Sequence, residues 1–542
     1  MASIKYLAGV FMLIISFGYG AVVGKYEIFP HDFIAGFKHL LSGVAEDRLV
    51  GRVFPERYET THVALKVDVY NFVNDLGLSG WGGGLLSLDS QLIGLDRVGR
   101  FFWLDDNEIK LLSDLRVPTA EAHLVELVRQ EDIPLLIKNR IINNFKVLDV
   151  DFFGDYIYIS HHFFDVKTKS KTLVISRIEA KSFDDLRLST SSDFELFFSL
   201  DDRVRYDMSE NSSFRSNRAG GGIAFDDSGN LFLGVGDYQL DGLEGRPKVS
   251  QANDSPYGKV LKIGGKGKAS VFASGLRNPQ GLEFSEGGAL VSVGHGPKGG
   301  DELNVLKRGA NYGWPNVTFG TDYGALGWPL QDQQANHMGY EKPIFSWLPS
   351  IGPSSIEQVT WPSVWSGDLL IGGLANQSLH RLRYAEGRII FDERIHIGER
   401  VRDVLTADGA IFLWTDNARL LRLSKATKDQ SQNGFTAQDK ELGLPDLVRT
   451  CSECHSGRGS PTRLPSLETI WGARIASSDY EGYSTGLELH SGKFWREDNL
   501  AQFLSDPAEF AYGSPMSQFR IVDDKLLHNL IDYLRRSSTR TE

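Results

Sequence analysis

Sulfur is scarce in this chain: 542 residues hold 2 cysteines and 5 methionines. Two cysteines exclude a disulfide-stapled scaffold. A structural zinc site wants four ligands, and no second cysteine pair exists to complete one. Basic charge is also in short supply. Lys and Arg number 58 against 70 Asp and Glu, a net charge of −12, which argues against nucleic acid as a partner because phosphate binding needs a basic surface. Long apolar runs are missing with one exception, the uncharged LAGVFMLIISFGYGAVVG at residues 7 to 24. Spanning hydrocarbon takes about 20 apolar residues as a helix, so this run just suffices. Gly18 and Gly20 would serve a signal-peptide cut only weakly, and the length favours an uncleaved membrane anchor. Either reading exports the remainder. The expected location is the bacterial inner membrane, facing the periplasm, or the periplasm itself if the segment is cut.

What is present is ordinary for a soluble globular protein: 41% apolar and 24% charged residues. The length exceeds one core and implies two or more domains. The 57 glycines suit turn-rich β architecture.

The two cysteines stand three apart in CSECHSG, with His455 directly behind Cys454. Cysteines so close seldom form a structural disulfide. Cys-x-x-Cys-His fits covalent haem attachment, in which each thiol adds to a haem vinyl group and the adjacent His reaches the iron. Export agrees, because c-type haem is attached outside the cytoplasm. Downstream come LPSL at 464 to 467, GSPMSQF carrying Met516, and DDKLLHNLIDYLRR, in which Leu526, Leu527, Leu530, Ile531 and Leu534 make one helical stripe. Residues 438–542 resemble a class I cytochrome c on these motifs. The resemblance implies one covalent haem c on Cys451 and Cys454, with His455 and Met516 as the axial iron ligands. Thioether ligation opposite His raises the potential and suits electron transfer. The competing reading of Met516 is a core filler. His490 and His528 are the other possible ligands nearby.

Residues from about 60 to 425 read as short strands. A turn ending in Gly, then an apolar strand, recurs at Gly99, Gly154, Gly229, Gly288, Gly367 and Gly409. The spacings of 55, 75, 59, 79 and 42 residues are too irregular for a tight repeat, but each suits a four-stranded blade with insertions. Six units predict a six-bladed β-propeller over a pair of β-sandwiches, interrupted by a helical insertion at residues 118 to 145. The fold class expected is mainly β: an N-terminal membrane-spanning helix, a six-bladed propeller, then a small all-α cytochrome c domain. The boundaries are 1–28 for the anchor or signal segment and 29–60 for a connecting segment. The propeller follows at 61–423, a polar linker at 424–437 and the cytochrome at 438–542.

Four stretches, GGGIAFDDSGNLFLGVGD (220 to 237), GLRNPQGLEF (275 to 284), HGPKGGDELNVLKRGANYGWP (295 to 315) and GERVRDVLTADG (398 to 409), resemble the soluble glucose/aldose sugar dehydrogenases. These are six-bladed propellers using pyrroloquinoline quinone (PQQ) and calcium. The cofactor is an o-quinone with three carboxylates, and cations must hold it. Arg277 with Asn278, and Arg400 with Arg402, would supply that grip, Arg being a planar, permanently charged fork. Asp301 and Glu302 are hard oxygen donors suited to calcium. The resemblance assigns the carbonyls of Gly296 and Pro297 to the calcium that polarises the cofactor.

The chain also departs from that family. Active members carry a catalytic His in an H-x-G-G-R-L-like stretch, whereas this chain reads RAGGGIAF, with Arg218 at the His position and Gly222 at the Arg. Arg cannot act as a base at neutral pH. Members also place a cofactor-contacting Lys where this chain has Ala375. His295 and Asp237 are candidate replacement bases, with His161 and His162 behind them. Three readings stay open: a quinoprotein dehydrogenase fused to its own electron acceptor, a propeller that only binds or docks beside a working cytochrome, and an enzyme for an anionic ligand reshaped around Arg218. The partners expected are a respiratory acceptor or soluble cytochrome, a small-molecule substrate, and a membrane through the N-terminal helix.

The covalent assignment predicts that acidified organic solvent leaves the red colour on the denatured polypeptide; colour passing into the solvent phase would refute it.

Overall fold

The computed structural model describes residues 54–426 and 443–538, except 56, 62, 72–75, 77, 106–107, 208–211, 325–326, 332–334, 386, 456–464, 466, 479, 481–482, 512–513, 515, 517–520 and 522. The proposed anchor at 7–24 and most of the linker at 424–437 lie outside the described residues. Among those described, no helix is long and apolar enough to cross a membrane.

The chain divides into two units, one of residues 68–424 and the other of 52–67 with 425–542. In the first, strands gather into six antiparallel sheets, covering 83–116, 147–205, 220–274, 279–347, 353–396 and 401–425. The strand Ala64–Asn71 runs across the border, and its pairing places it in the sixth sheet beside Arg419–Lys425. The first strands of the six sheets are β1 (Gly83–Leu88), β2 (Val147–Phe153), β3 (Gly220–Phe225), β4 (Pro279–Phe284), β5 (Pro353–Gln358) and β6 (Val401–Ala407). Each packs beside the next, and β6 returns to β1, closing a six-bladed propeller.

The six predicted glycines fall one to a sheet, all with φ between 63° and 83°, the left-handed turn region open to Gly. Five join the first and second strands of their blades. Gly99 falls one hairpin later. The turn after β1 is made by Asp89 and Ser90, at φ 52° and 62°, so that corner carries no Gly signal. The helical insertion is two helices, α1 (Glu121–Gln130) and α2 (Leu135–Asn143), with Pro134 as the N-cap of α2. Leu124, Val128, Ile141, Phe145, Phe164 and Phe214 form their core.

Equivalent residues of neighbouring inner strands meet, so all six run the same way along the axis. The Asp403 carboxylate of β6 accepts the Leu85 N–H of β1 at 2.7 Å. Asp149 of β2 accepts the Ile223 N–H of β3 at 2.8 Å. Glu357 of β5 accepts the Thr406 N–H of β6 at 2.9 Å. These acids, with Asp151 and Glu283, line one central channel.

In the second unit, α3 (Leu444–His455), α4 (Glu497–Ser505) and α5 (Asp524–Ser538) enclose one cluster. Leu527, Leu530, Ile531 and Leu534 are at most 3% exposed, the inner part of the predicted stripe. The Arg496 N–H donates to Asn499 Oδ1 at 2.8 Å and so ties the start of α4.

Burial pushes Asp151 up to about 7. Burial, then the Glu357, Asp151 and Asp149 charges, push Glu283 up to about 9. Burial, with Asp403 and Asp151 behind it, pushes Glu357 up to about 8. Such carboxyls hold protons in the folded state that the unfolded chain releases near pH 4, so their stabilising contribution is complete in acid and drains away as pH rises through the folded values. The urea midpoint of the propeller, followed by tryptophan fluorescence, is expected to fall between about pH 5 and pH 9, and Glu283→Gln to flatten the alkaline half of that slope. A slope equal to wild type in this variant would remove Glu283 from the account.

Candidate functional site

The starts of the inner strands converge at one mouth of the channel. Ala219, Asn278 and Lys146 stand immediately before β3, β4 and β2, and Arg402 is the second residue of β6. Two groups of charged side chains form there.

In the first group, Arg218 Nη1 lies 2.8 Å from Asp241 Oδ2 and 3.4 Å from Asp237 Oδ2. Trp314 Nε1–H donates to the same Asp237 oxygen at 2.9 Å. The residue at the family's His position is thus a locked cation, and Asp237 is committed to its partners. Arg277 lies over the Trp314 ring, 5.3 Å from its centroid. It donates to the His295 carbonyl at 3.3 Å and to the Tyr323 hydroxyl at 3.3 Å, while its buried Nε has no partner among the described residues. Asn278 Oδ1 accepts the Gly220 N–H at 2.9 Å.

His295 joins the blades and has no free nitrogen. Its Nε2 stands 2.8 Å from the Pro353 carbonyl, which only accepts, so this nitrogen carries the proton. Nδ1 then accepts from Asn278 Nδ2 at 3.1 Å. Burial first, then the Arg277 and Arg402 charges, push the ring down to about 4 against a pull from Asp301. His161 and His162 are fully buried. His161 Nε2 meets Ser176 Oγ at 2.8 Å and His162 Nε2 meets the Tyr238 hydroxyl at 3.2 Å, the bonding of core side chains.

In the second group, Asp416 receives both expected arginines. Arg402 Nε donates at 2.8 Å to one oxygen and Arg400 Nε at 2.6 Å to the other. Burial would raise this carboxyl, but the two guanidinium groups hold it below its ordinary range. Arg400 also lies 5.3 Å from the Trp81 ring centroid. Lys146 enters the same group, and the sequence reading missed it. Its signal is one Lys inside the apolar run FKVL, directly before an inner strand.

The stretch 296–302 splits by role. Asp301 is 1% exposed. It accepts from the Gly296, Ile351 and Gly352 N–H groups at 2.9, 2.8 and 2.7 Å and from Ser350 Oγ at 3.1 Å. Its oxygens therefore fix the loop that presents Gly296 and Pro297. Glu302 accepts from Asn304 Nδ2 at 3.1 Å, and burial pushes it up to about 7. Among the described residues, no group of three or more His, Cys, Asp or Glu is arranged to hold a metal ion. A calcium ion on this loop would therefore draw on its carbonyls, hard donors of the right kind.

In the second unit, Cys451 and His455 are four apart on α3, hence on one helix face. His455 Nδ1 donates to the Pro465 carbonyl at 2.9 Å. That bond fixes the ring and turns Nε2 into the nitrogen a metal would use, the arrangement a metal-binding imidazole needs. Met516 is half-buried against the helical cluster. His490 Nε2 is held by the Phe510 carbonyl at 3.0 Å, and the exposed His528 bonds back to Asp524 on its own helix. The side chain of Cys454 lies outside the described residues.

Comparison with known proteins agrees with both units. The family described as Glucose / Sorbosone dehydrogenase matches residues 154–422. Aldose sugar dehydrogenase YliI of Escherichia coli is 30% identical over 251 residues, covering 41% of this chain and 67% of that protein. The crystal structure of the soluble aldose sugar dehydrogenase from Escherichia coli in its apo-form superposes with a TM-score of 0.52 at 23% identity, over 67% of this chain and 100% of that one. Cytochrome c of Gibberella zeae is 31% identical over 97 residues, 17% of this chain and 90% of that protein. The chain therefore belongs to the glucose/sorbosone dehydrogenase family, with a cytochrome c segment following its propeller.

Proposed function

We propose that the protein is an exported electron-transfer dehydrogenase whose propeller holds PQQ and whose C-terminal unit carries haem c. The observation that carries this reading is the charge at the channel mouth. Arg277 and Lys146 pair with no carboxylate among the described residues, while Arg400 and Arg402 share the single Asp416. A mouth with cations to spare fits a tricarboxylate quinone. When bound, such a quinone accepts an electron pair from an alcohol or sugar, and the haem carries electrons singly.

The roles of the chain's own residues follow. Arg277, Asn278, Arg400 and Arg402 orient the carboxylates. The Gly296 and Pro297 carbonyls are offered to calcium by Asp301. His455 and Met516 would ligate the iron of a haem held by thioether bonds from Cys451 and Cys454. Tethering the haem to the propeller raises its effective concentration as acceptor. The next carrier is a respiratory acceptor or soluble cytochrome, and residues 7–24 would keep the protein at the membrane.

A second reading draws on Arg218. Its salt bridges and the engaged nitrogens of His295 leave the family's base position without a base, which favours a propeller that binds a quinone-like anion and no longer oxidises a substrate.

Full-length protein mixed with calcium and PQQ is expected to bind the quinone and, on adding alcohols or aldoses, to reduce its haem. Quinone binding without haem reduction would favour the second reading, and no quinone binding would end both. Met516→Ala is expected to keep the haem attached while changing its spectrum and lowering its potential by ~100 mV or more, as loss of a thioether ligand requires. An unaltered spectrum and potential would exclude Met516 as ligand.

A further inference from the structure

Lys146 is 8% exposed, and among the described residues its ammonium has no hydrogen-bond or ion-pair partner. Only its backbone is engaged: the N–H donates to His162 Nδ1 at 3.3 Å, and the carbonyl accepts the His162 N–H at 3.0 Å. Its stem crosses the start of β1, where a Cβ on Gly82 would stand 3.1 Å from Lys146 Cβ and Cδ. A lysine this buried with no carboxylate partner holds its charge at a cost, and here the cost is compounded by its surroundings. Arg402, Arg400 and Arg97 all act on it unfavourably, and Asp416, the one nearby carboxylate, is taken by Arg400 and Arg402. Arg97 is spent on Glu121 at 2.7 Å.

Position 375, where the resemblance expects a lysine, borders the same group. The Leu374 carbonyl accepts from Arg400 Nη1 at 3.4 Å, and the Ala375 N–H is bound by Ile351 at 2.7 Å. One cation is missing beside Arg400 on the fifth blade, and on the second blade a cation with no partner among the described residues lies within the field of the same arginine pair.

We infer that Lys146 grips a carboxylate of the bound quinone and thereby replaces, from another blade, the cofactor lysine lost at Ala375. The inference rests on the quinone reading above and adds a cofactor-binding residue to it. An anion beside this amine supplies the missing partner. Burial first, then the Arg402, Arg400 and Arg97 charges, hold the free amine well below the ordinary lysine range, with Asp416 pulling the other way. His162, the other titratable neighbour, is itself held down by burial and by Lys171. A carboxylate raises the amine again, so the complex takes up a proton. The affinity is then greatest below the pKa of the free amine and falls as pH rises through it.

The test is calorimetric titration of full-length protein with PQQ and calcium, in buffers of differing ionisation heat. Wild type is expected to take up protons on binding. Lys146→Met is expected to bind about tenfold or more weakly and to lose that uptake. Lys146→Arg should keep the affinity but lose the uptake, because Arg does not release its proton. Lys146→Met with Ala375→Lys should regain affinity. Lys146→Met binding within twofold of wild type would overturn the inference and leave the quinone reading standing. Failure of wild type to bind would overturn that reading and the inference with it. Circular dichroism and haem content show whether the Met variant is folded. If it is not, Lys146→Arg decides alone: proton uptake equal to wild type would refute Lys146.

Discussion

Six sheets can share one axis only if their inner strands approach at backbone distance. This constraint governs most of the propeller. A Cβ on Gly222 would meet the Gln280 carbonyl at 2.5 Å, and one on Gly281 would meet the Ile356 nitrogen at 2.9 Å. Strands this close leave N–H groups facing the channel with no ladder partner, and the carboxylates of Asp403, Asp149 and Glu357 reach sideways to take them. The axis is therefore acidic by structural need. The mouth, where strands begin and diverge, is where positive charge accumulates.

That division explains the departures from the family pattern. Gly222 is not merely a lost arginine, since the strand beside it leaves no room for any side chain. Arg218 is not a poor base standing in an otherwise intact site. It belongs to an arrangement with Asp237, Asp241 and Trp314, and removing its charge would take the nearest cation from two buried carboxylates. Among the described residues, Arg277 and Lys146 are held by no acid, and they add to Arg400 and Arg402, which share one.

The sequence made the fold readable because turn chemistry is local. Gly154, Gly229, Gly288, Gly367 and Gly409 each mark the first corner of a blade, and Gly99 marks the second corner of its blade because Asp89 and Ser90 make the first turn without glycine. The helical insertion and the stripe of α5 were readable for the same reason. The site was readable only in part. Arg277, Arg400 and Arg402 stand in long matched stretches, and Cys-x-x-Cys-His names its own chemistry. The bond from His455 to Pro465 depends on a chain path that spacing does not give. The fourfold engagement of Asp301 and the solitude of Lys146 depend on groups brought together from different blades, and no window of sequence contains them.

The strand Ala64–Asn71 that completes the sixth sheet has a consequence for how the molecule is made. Its partner, Arg419–Lys425, lies beyond all the other blades in the chain, so the early strand keeps an open edge until that last partner is in place. The ring is shut by the most distant pairing in its sequence, a slow step by topology.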